Sequence, residues 1–187
     1  MSESDAAATP DAAREVLAFW REAGPKRWFA HDDAFDALFR TRFLALHERA
    51  ARGELAAWTK SADGALALII LLDQFPRNSF RGTARMFATD AMARRVASAM
   101  IDRGQDQEID EGLRAFVYLP FEHSEDLGDQ ERSVELCRTL DAETAKWADI
   151  HRDIIRRFGR FPHRNTVLGR ATTPEEQAFM DAGGFAG

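Results

Sequence analysis

The sequence is poor in the features of secreted and membrane proteins. It has one cysteine, Cys137, and its longest apolar run is the eight residues from Ala65 to Leu72. A single cysteine excludes an intrachain disulfide and is typical of a reducing compartment. The apolar run is far shorter than the ~20 residues of a membrane-spanning helix. The acidic, alanine-rich start is also unlike a signal peptide. We therefore expect a cytoplasmic protein with no membrane partner.

Lysine is scarce as well, with 3 lysines against 22 arginines, and the net charge is −6 with a pI near 5.4. Such an acidic chain is not expected to bind nucleic acid in general. One stretch departs from this balance: residues 151–170 carry six arginines and one acid, which gives +5 and leaves −11 for the rest. Because arginine contacts carboxylates and phosphates through two parallel hydrogen bonds, this stretch predicts attraction for an anion.

Several motifs of catalysis and cofactor binding are missing. The sequence has no H-x-x-x-H, no H-E-x-x-H and no pair of cysteines, so we expect no metal site. It also lacks a G-x-S-x-G elbow and a glycine-rich phosphate loop, and we expect no cofactor. Cys137 lies in a helical pattern, which favours a structural thiol over a nucleophile.

The hydrophobic pattern predicts an all-α protein of eight or nine helices, with no convincing strand. The run from Ala65 is apolar on every side, which indicates a buried central helix capped by Ser61 and ended by Pro76. Another helix is predicted to end at Pro120. Short connections favour antiparallel helical hairpins. We divide the chain into a disordered tail at 1–8, one helical domain at 9–182 and a frayed end at 183–187.

The helix predicted at about residues 142–158 has an apolar side formed by Trp147, Ile150, Ile154, Ile155 and Phe158. His151 falls near the middle of that side, so we expect it to be at least partly buried. A single histidine on an apolar face is more often a hydrogen-bonded core residue than a catalyst.

Two helix exits resemble each other, namely Phe75-Pro76-Arg77-Asn78 and Phe161-Pro162-His163-Arg164-Asn165. A third, at residues 119–123, ends in Glu122-His123 and has the same outline without the asparagine. A proline that blocks the helix and an asparagine that bonds its own turn explain part of the pattern. They do not explain the Arg, His and Glu residues that the turns share.

The motifs LLDQFPRNSFRG, FVYLPFEHSED, HRDIIRRFGRFPHRN and TPEEQAF resemble the uncharacterised, mostly bacterial DUF924 family. The resemblance covers roughly residues 16–179. It implies an all-helical fold like that of tetratricopeptide repeats, although no clean repeat consensus is present. The family has no established activity, so the resemblance implies nothing about the reaction.

Three functions remain open from the sequence. The first is a binding module for an anionic small molecule or an acidic peptide, whose candidate ligand-binding residues are Arg77, Asn78, Glu122, His123, His151, Arg160, His163, Arg164 and Asn165. The second is a hydrolase of a phosphorylated or carboxylated small molecule, in which His123, His151 and Glu122 are the candidates for catalysis. The third is a structural or protein-interaction domain, in which the arginines pair with Asp73 and Glu122. Oligomeric state is not determined by the sequence.

Overall fold

The computed structural model describes residues 8–185 of the chain, and these residues contain helices and no strand. They form two compact units, one of residues 8–81 and 85–120 and the other of residues 82–84 and 121–185. The all-α prediction is confirmed. Most of the predicted tail and the last two residues of the predicted frayed end lie outside the described residues.

The first unit contains six helices and most of a seventh, which are α1 (Asp11–Ala23), α2 (Pro25–Trp28), α3 (Asp33–Ala51), α4 (Ala62–Ile69), α5 (Phe75–Ser79), α6 (Asp90–Asp102) and α7 (Glu111–Glu122). A π-helical segment, Ile70–Gln74, joins α4 to α5 without a break. If α4, the π segment and α5 are counted as one continuous helix, the described residues contain nine helices. This agrees with the predicted eight or nine.

The core of the first unit is built around α4, which packs on α1 and α6. Every residue from Ala65 to Leu72 is buried, and the Ser61 hydroxyl accepts a hydrogen bond from the Gly64 amide. The predicted central helix and its cap are therefore both confirmed. Aromatic rings of α1 and α3, including Phe19, Trp20 and Phe39, pack on one another in the same unit.

The predictions that Pro76 and Pro120 end their helices are wrong. Pro76 lies in the first turn of α5, which continues to Ser79, and Pro120 lies inside α7. A proline removes only one backbone donor. Val117 and Phe121, on either side of Pro120, are fully buried, so packing outweighs the missing hydrogen bond in α7.

The second unit contains α8 (Leu127–Cys137), α9 (Ala142–Phe158) and α10 (Pro174–Asp181), with a short 3-10 turn at Pro162–Arg164. Helix α8 packs along α9. Asp126 caps α8, and its carboxylate accepts from the Asp129 amide. On α9, Ile154, Ile155 and His151 are buried as predicted, and Ile150 and Phe158 are half-buried. Trp147, predicted on the same side, is 43% exposed.

Candidate functional site

The π segment of the first unit explains how the helix passes Pro76. A π turn widens the helix, and Pro76 offers no amide hydrogen to the carbonyl of Leu72, four residues earlier. The hydroxyl of Thr89 donates to that carbonyl instead. The neighbouring carbonyl of Leu71 accepts from His47 Nδ1 at 2.9 Å, and that of Asp73 accepts from Arg77 at 2.8 Å. Side chains therefore hold three successive carbonyls of the π segment.

Arg77, a predicted ligand-binding residue, is engaged inside this unit. Its two terminal nitrogens contact the Asp90 carboxylate at 2.9 and 3.1 Å, and one of them lies 3.2 Å from Asp73. Burial opposes the charge on Arg77, but the two carboxylates prevail and raise its pKa. This is the arginine–carboxylate network that the structural hypothesis describes, with Asp73 as a partner as expected.

The two helix exits that resemble each other in sequence bind a carboxylate in the same way. Asn78 donates to Asp36 at 2.6 Å, and Arg81 binds the other oxygen of Asp36 at 2.7 Å. In the second unit, Asn165 donates to Glu176 at 3.1 Å, and Arg160 binds both oxygens of Glu176. In each motif an asparagine and an arginine thus share one buried carboxylate.

Glu176 also forms the capping box of α10, in which Thr173 accepts from the Glu176 amide and the Glu176 carboxylate accepts from the Thr173 amide. Hydrogen bonds from Arg160, followed by those from Thr173, lower the pKa of Glu176 to about 2. The carboxylate is therefore ionised at neutral pH. The T-P-E-E sequence signals this cap, but its tertiary partners at Arg160 and Asn165 are not readable from local spacing.

The remaining predicted residues gather in the second unit around Glu122 and His151. The Nδ1 atom of His151 lies 2.8 Å from the Trp147 carbonyl oxygen and 3.3 Å from Oε1 of Glu122. Because a carbonyl only accepts, Nδ1 carries the proton and Nε2 carries the lone pair. Both side chains are buried, with 7% of His151 and 5% of Glu122 exposed.

Burial lowers the pKa of His151 to about 3, against a hydrogen bond to Trp147 that favours the charged ring. A positive charge on Arg164 acts in the same direction as burial, as does a proton on His123 or His163. His151 is therefore neutral near pH 7. These three predicted ligand residues act electrostatically on a fourth, His151, which lies beside the carboxylate of Glu122.

Aromatic rings line the same place. Phe161, which is fully buried, meets the rings of His151 and His163 at centroid distances of 5.6 Å each. The guanidinium of Arg164 lies over the Phe161 ring, 4.4 Å from its centroid. A proline after Phe161 and the short 3-10 turn bring His163 and Arg164 to this position. His151, His163 and Arg164 therefore pack around one ring, that of Phe161.

Sequence reasoning missed the role of Glu125 in the second unit. Its oxygens bind Arg170 at 2.7 and 3.0 Å and accept from the Phe161 amide at 2.8 Å. These bonds lower the pKa of Glu125 although burial opposes the charge. Glu125 and Arg170 thereby hold both ends of the loop that carries His163 and Arg164.

Cys137 is fully buried, as is the hydroxyl-bearing residue Ser133, and burial raises the thiol pKa to about 12. That confirms a structural thiol. In residues 8–185 no three His, Cys, Asp or Glu side chains are arranged to hold a metal ion. Across the same residues, no helix combines the length and apolar character that crossing a bilayer requires.

Comparison with known proteins places the chain in a family. No protein with a curated description matches it. The solved structure of ATU0120, a protein of unknown function from Agrobacterium tumefaciens, is 51% identical to it, and the match covers 91% of this chain and 97% of that one with a TM-score of 0.90. The family model described as bacterial protein of unknown function (DUF924) matches residues 16–184. The chain therefore belongs to the DUF924 family.

Proposed function

We propose that the second unit binds a small anion through His123, His163 and Arg164, beside the neutral imidazole of His151. The observation that carries this proposal is the packing of His163 and Arg164 around the Phe161 ring, which also contacts His151. Glu122 lies beside His151, and Glu125 acts electrostatically on Arg164. A ligand carboxylate or phosphate carries the charge that an arginine complements.

The other predicted ligand residues take a structural part in this proposal. Arg77 is bound to Asp90 and Asp73, and Arg160 is bound to Glu176. Asn78 and Asn165 each bind a buried carboxylate. The anion site is therefore confined to the second unit, and residues of the first unit support the fold.

The finer features implied by the family resemblance belong to the same proposal. A helical-hairpin, tetratricopeptide-like arrangement is supported by α8 and α9, which pack along each other across a connection of four residues. A cytoplasmic location is supported by the single, reduced and buried cysteine. An acidic peptide segment would offer the same carboxylate chemistry as a small molecule.

Calorimetric titration with inorganic phosphate and with propionate tests the site. We expect Arg164→Ala and His163→Ala to weaken binding by about tenfold or more, because each removes a charge-assisted contact. Arg164→Lys keeps the charge if the alanine variant does not fold. Arg156→Ala is the matched control, since Arg156 is an exposed arginine of α9 paired with Glu131. Unchanged affinity in the folded variants contradicts the proposal.

A second candidate, hydrolysis of a phosphorylated or carboxylated small molecule, is favoured by the tautomer of His151. With Nδ1–H fixed by Trp147 and Glu122, Nε2 carries the lone pair that would accept a proton, although a pKa of about 3 makes His151 a weak base. Para-nitrophenyl phosphate and para-nitrophenyl acetate are suitable probe substrates. Activity that is lost in His151→Gln and in His123→Ala supports this candidate, and full activity in both folded variants removes it.

A further inference from the structure

The segment after α10 turns back and lies against the rings of His151 and His163, beside the proposed anion site of the second unit. The Gly184 amide donates to the Phe179 carbonyl at 3.0 Å and closes the end of the helix. The ring of Phe185 then lies 4.4 Å from the His151 ring and 5.3 Å from the His163 ring, between centroids. One aromatic residue thus contacts both histidines of the proposed site.

Two glycines allow this turn. Gly183 has a φ of +80°, a conformation that L side chains rarely adopt. A Cβ atom on Gly184 would stand 2.5 Å from the Phe179 ring. The path of the chain toward His151 therefore depends on the absence of side chains at both positions. We name residues 183–185 the strap.

We propose that the Phe185 ring is a replaceable cover and that the ligand is a small anion bearing an aromatic ring, which takes the place of Phe185. The proposal rests on the proposed function and names the ligand class for that site. Phe185 lies in an aromatic slot whose walls are His151, His163 and, at 6.4 Å, Trp147. Rings pack in such slots through edge-to-face contacts that any phenyl group makes.

Replacement of the Phe185 ring by the ring of the ligand is favourable because the ligand also carries a negative charge. Replacing one phenyl ring by another leaves the buried apolar area nearly the same, so ring contacts alone favour neither partner. A ligand that also carries a carboxylate gains contacts with Arg164 and His163 that the Phe185 side chain does not make. The strap therefore excludes ring compounds without charge and admits those with an anionic group.

Titration of hydrocinnamate, propionate and phenethyl alcohol tests the proposal. Hydrocinnamate has ring and charge, propionate has only charge, and phenethyl alcohol has only the ring. A strap that covers the slot nine-tenths of the time lowers apparent affinity about tenfold, so Phe185→Ala is expected to bind hydrocinnamate about tenfold more tightly than wild type. Propionate affinity is expected to stay the same. Gly184→Ala displaces the strap with Phe185 retained and is expected to act in the same direction.

Phe29→Ala is the matched control, because Phe29 is a 70% exposed phenylalanine of the first unit. Equal hydrocinnamate affinity in wild type, Phe185→Ala and Gly184→Ala overturns the proposal that Phe185 is a replaceable cover. If propionate still binds and Arg164→Ala still weakens it, the proposed function stands without the cover. If no anion binds any form, the proposed function fails and the ligand class fails with it. The imidazole ¹⁵N signals of His151 and His163 report the loss of the ring contact without ligand.

Discussion

In the second unit, Oε1 of Glu122 lies 3.3 Å from Nδ1 of His151, and both side chains are buried. The Trp147 carbonyl shares the same N–H at 2.8 Å. A neutral imidazole is thus fixed in one tautomer, although a carboxylate stands beside it. The arrangement links the stability of the unit to pH and fixes the orientation of the His151 ring.

The first prediction concerns pH. The pKa of His151 is about 3 in the folded chain and near its ordinary value of 6.5 in the unfolded chain. Between these two pKa values the unfolded chain binds a proton at His151 and the folded chain does not. The contribution of the neutral His151 ring to stability is therefore complete above pH 6.5 and is lost as the pH falls. We expect wild type to lose about 1.4 kcal/mol of unfolding free energy per pH unit more than His151→Gln.

Urea unfolding of both proteins between pH 7 and 4 measures this difference. Burial also lowers the pKa of His47, which contributes in the same direction in both proteins and cancels. His31→Gln, at an exposed histidine, is the control. Parallel stability curves for wild type and His151→Gln would contradict the buried neutral ring.

The second prediction concerns the ion pairs of the first unit. Arg77→Ala removes the guanidinium from two buried carboxylates, Asp73 and Asp90. We expect a loss of about 3–5 kcal/mol in unfolding free energy, as is usual when one partner of a buried pair is removed. Arg52→Ala, at an exposed arginine paired with Glu54, is expected to cost less than about 1 kcal/mol. Similar losses in the two variants would refute a buried network around Arg77.

The third prediction concerns the π segment. Thr89→Val keeps the shape of the side chain but removes the hydroxyl that donates to the Leu72 carbonyl, to which Pro76 offers no amide hydrogen. We expect a loss of about 1–3 kcal/mol, the cost of a buried acceptor without its donor. Thr59→Val, which affects an exposed hydroxyl bonded to Ala56, serves as the comparison. Equal melting temperatures for the two variants would show that Leu72 does not depend on Thr89.

The fourth prediction concerns Glu176. Its carboxylate accepts hydrogen bonds from Arg160, Asn165 and Thr173, so Glu176→Gln weakens the cap of α10 and the tie to the loop together. We expect Tm to fall by roughly 3–6 °C. The neighbouring Glu175→Gln, at an exposed residue paired with Arg157, is expected to change Tm little. Calorimetric scans in which both variants match wild type would contradict this role.

Local pattern was sufficient for much of the fold. Caps at Asp32 and Ser61, the central apolar run and the buried position of His151 follow from side-chain chemistry and helical periodicity. Pro76 and Pro120 were misread because the compensating features are distant in sequence. Thr89 lies 13 residues beyond Pro76, and no local rule connects its hydroxyl to Leu72.

The candidate site was only partly readable for the same reason. The composition of the turns identified His163, Arg164, Glu122 and His123, but it did not distinguish them from Arg160 and Asn165, which bind Glu176. Phe185 carried no signal beyond a frayed end, since its contact with His151 depends on the path that Gly183 and Gly184 allow.

The imidazole ¹⁵N spectrum during a phosphate titration tests the anion site most directly. The chain has five histidines: His123, His151 and His163 lie in the second unit, and His31 and His47 lie in the first. We predict saturable shifts for the three histidines of the second unit, with His31 and His47 unchanged, and loss of these shifts in Arg164→Ala. Equal, non-saturating shifts at all five histidines, or none at His123, His151 and His163, would contradict the anion site.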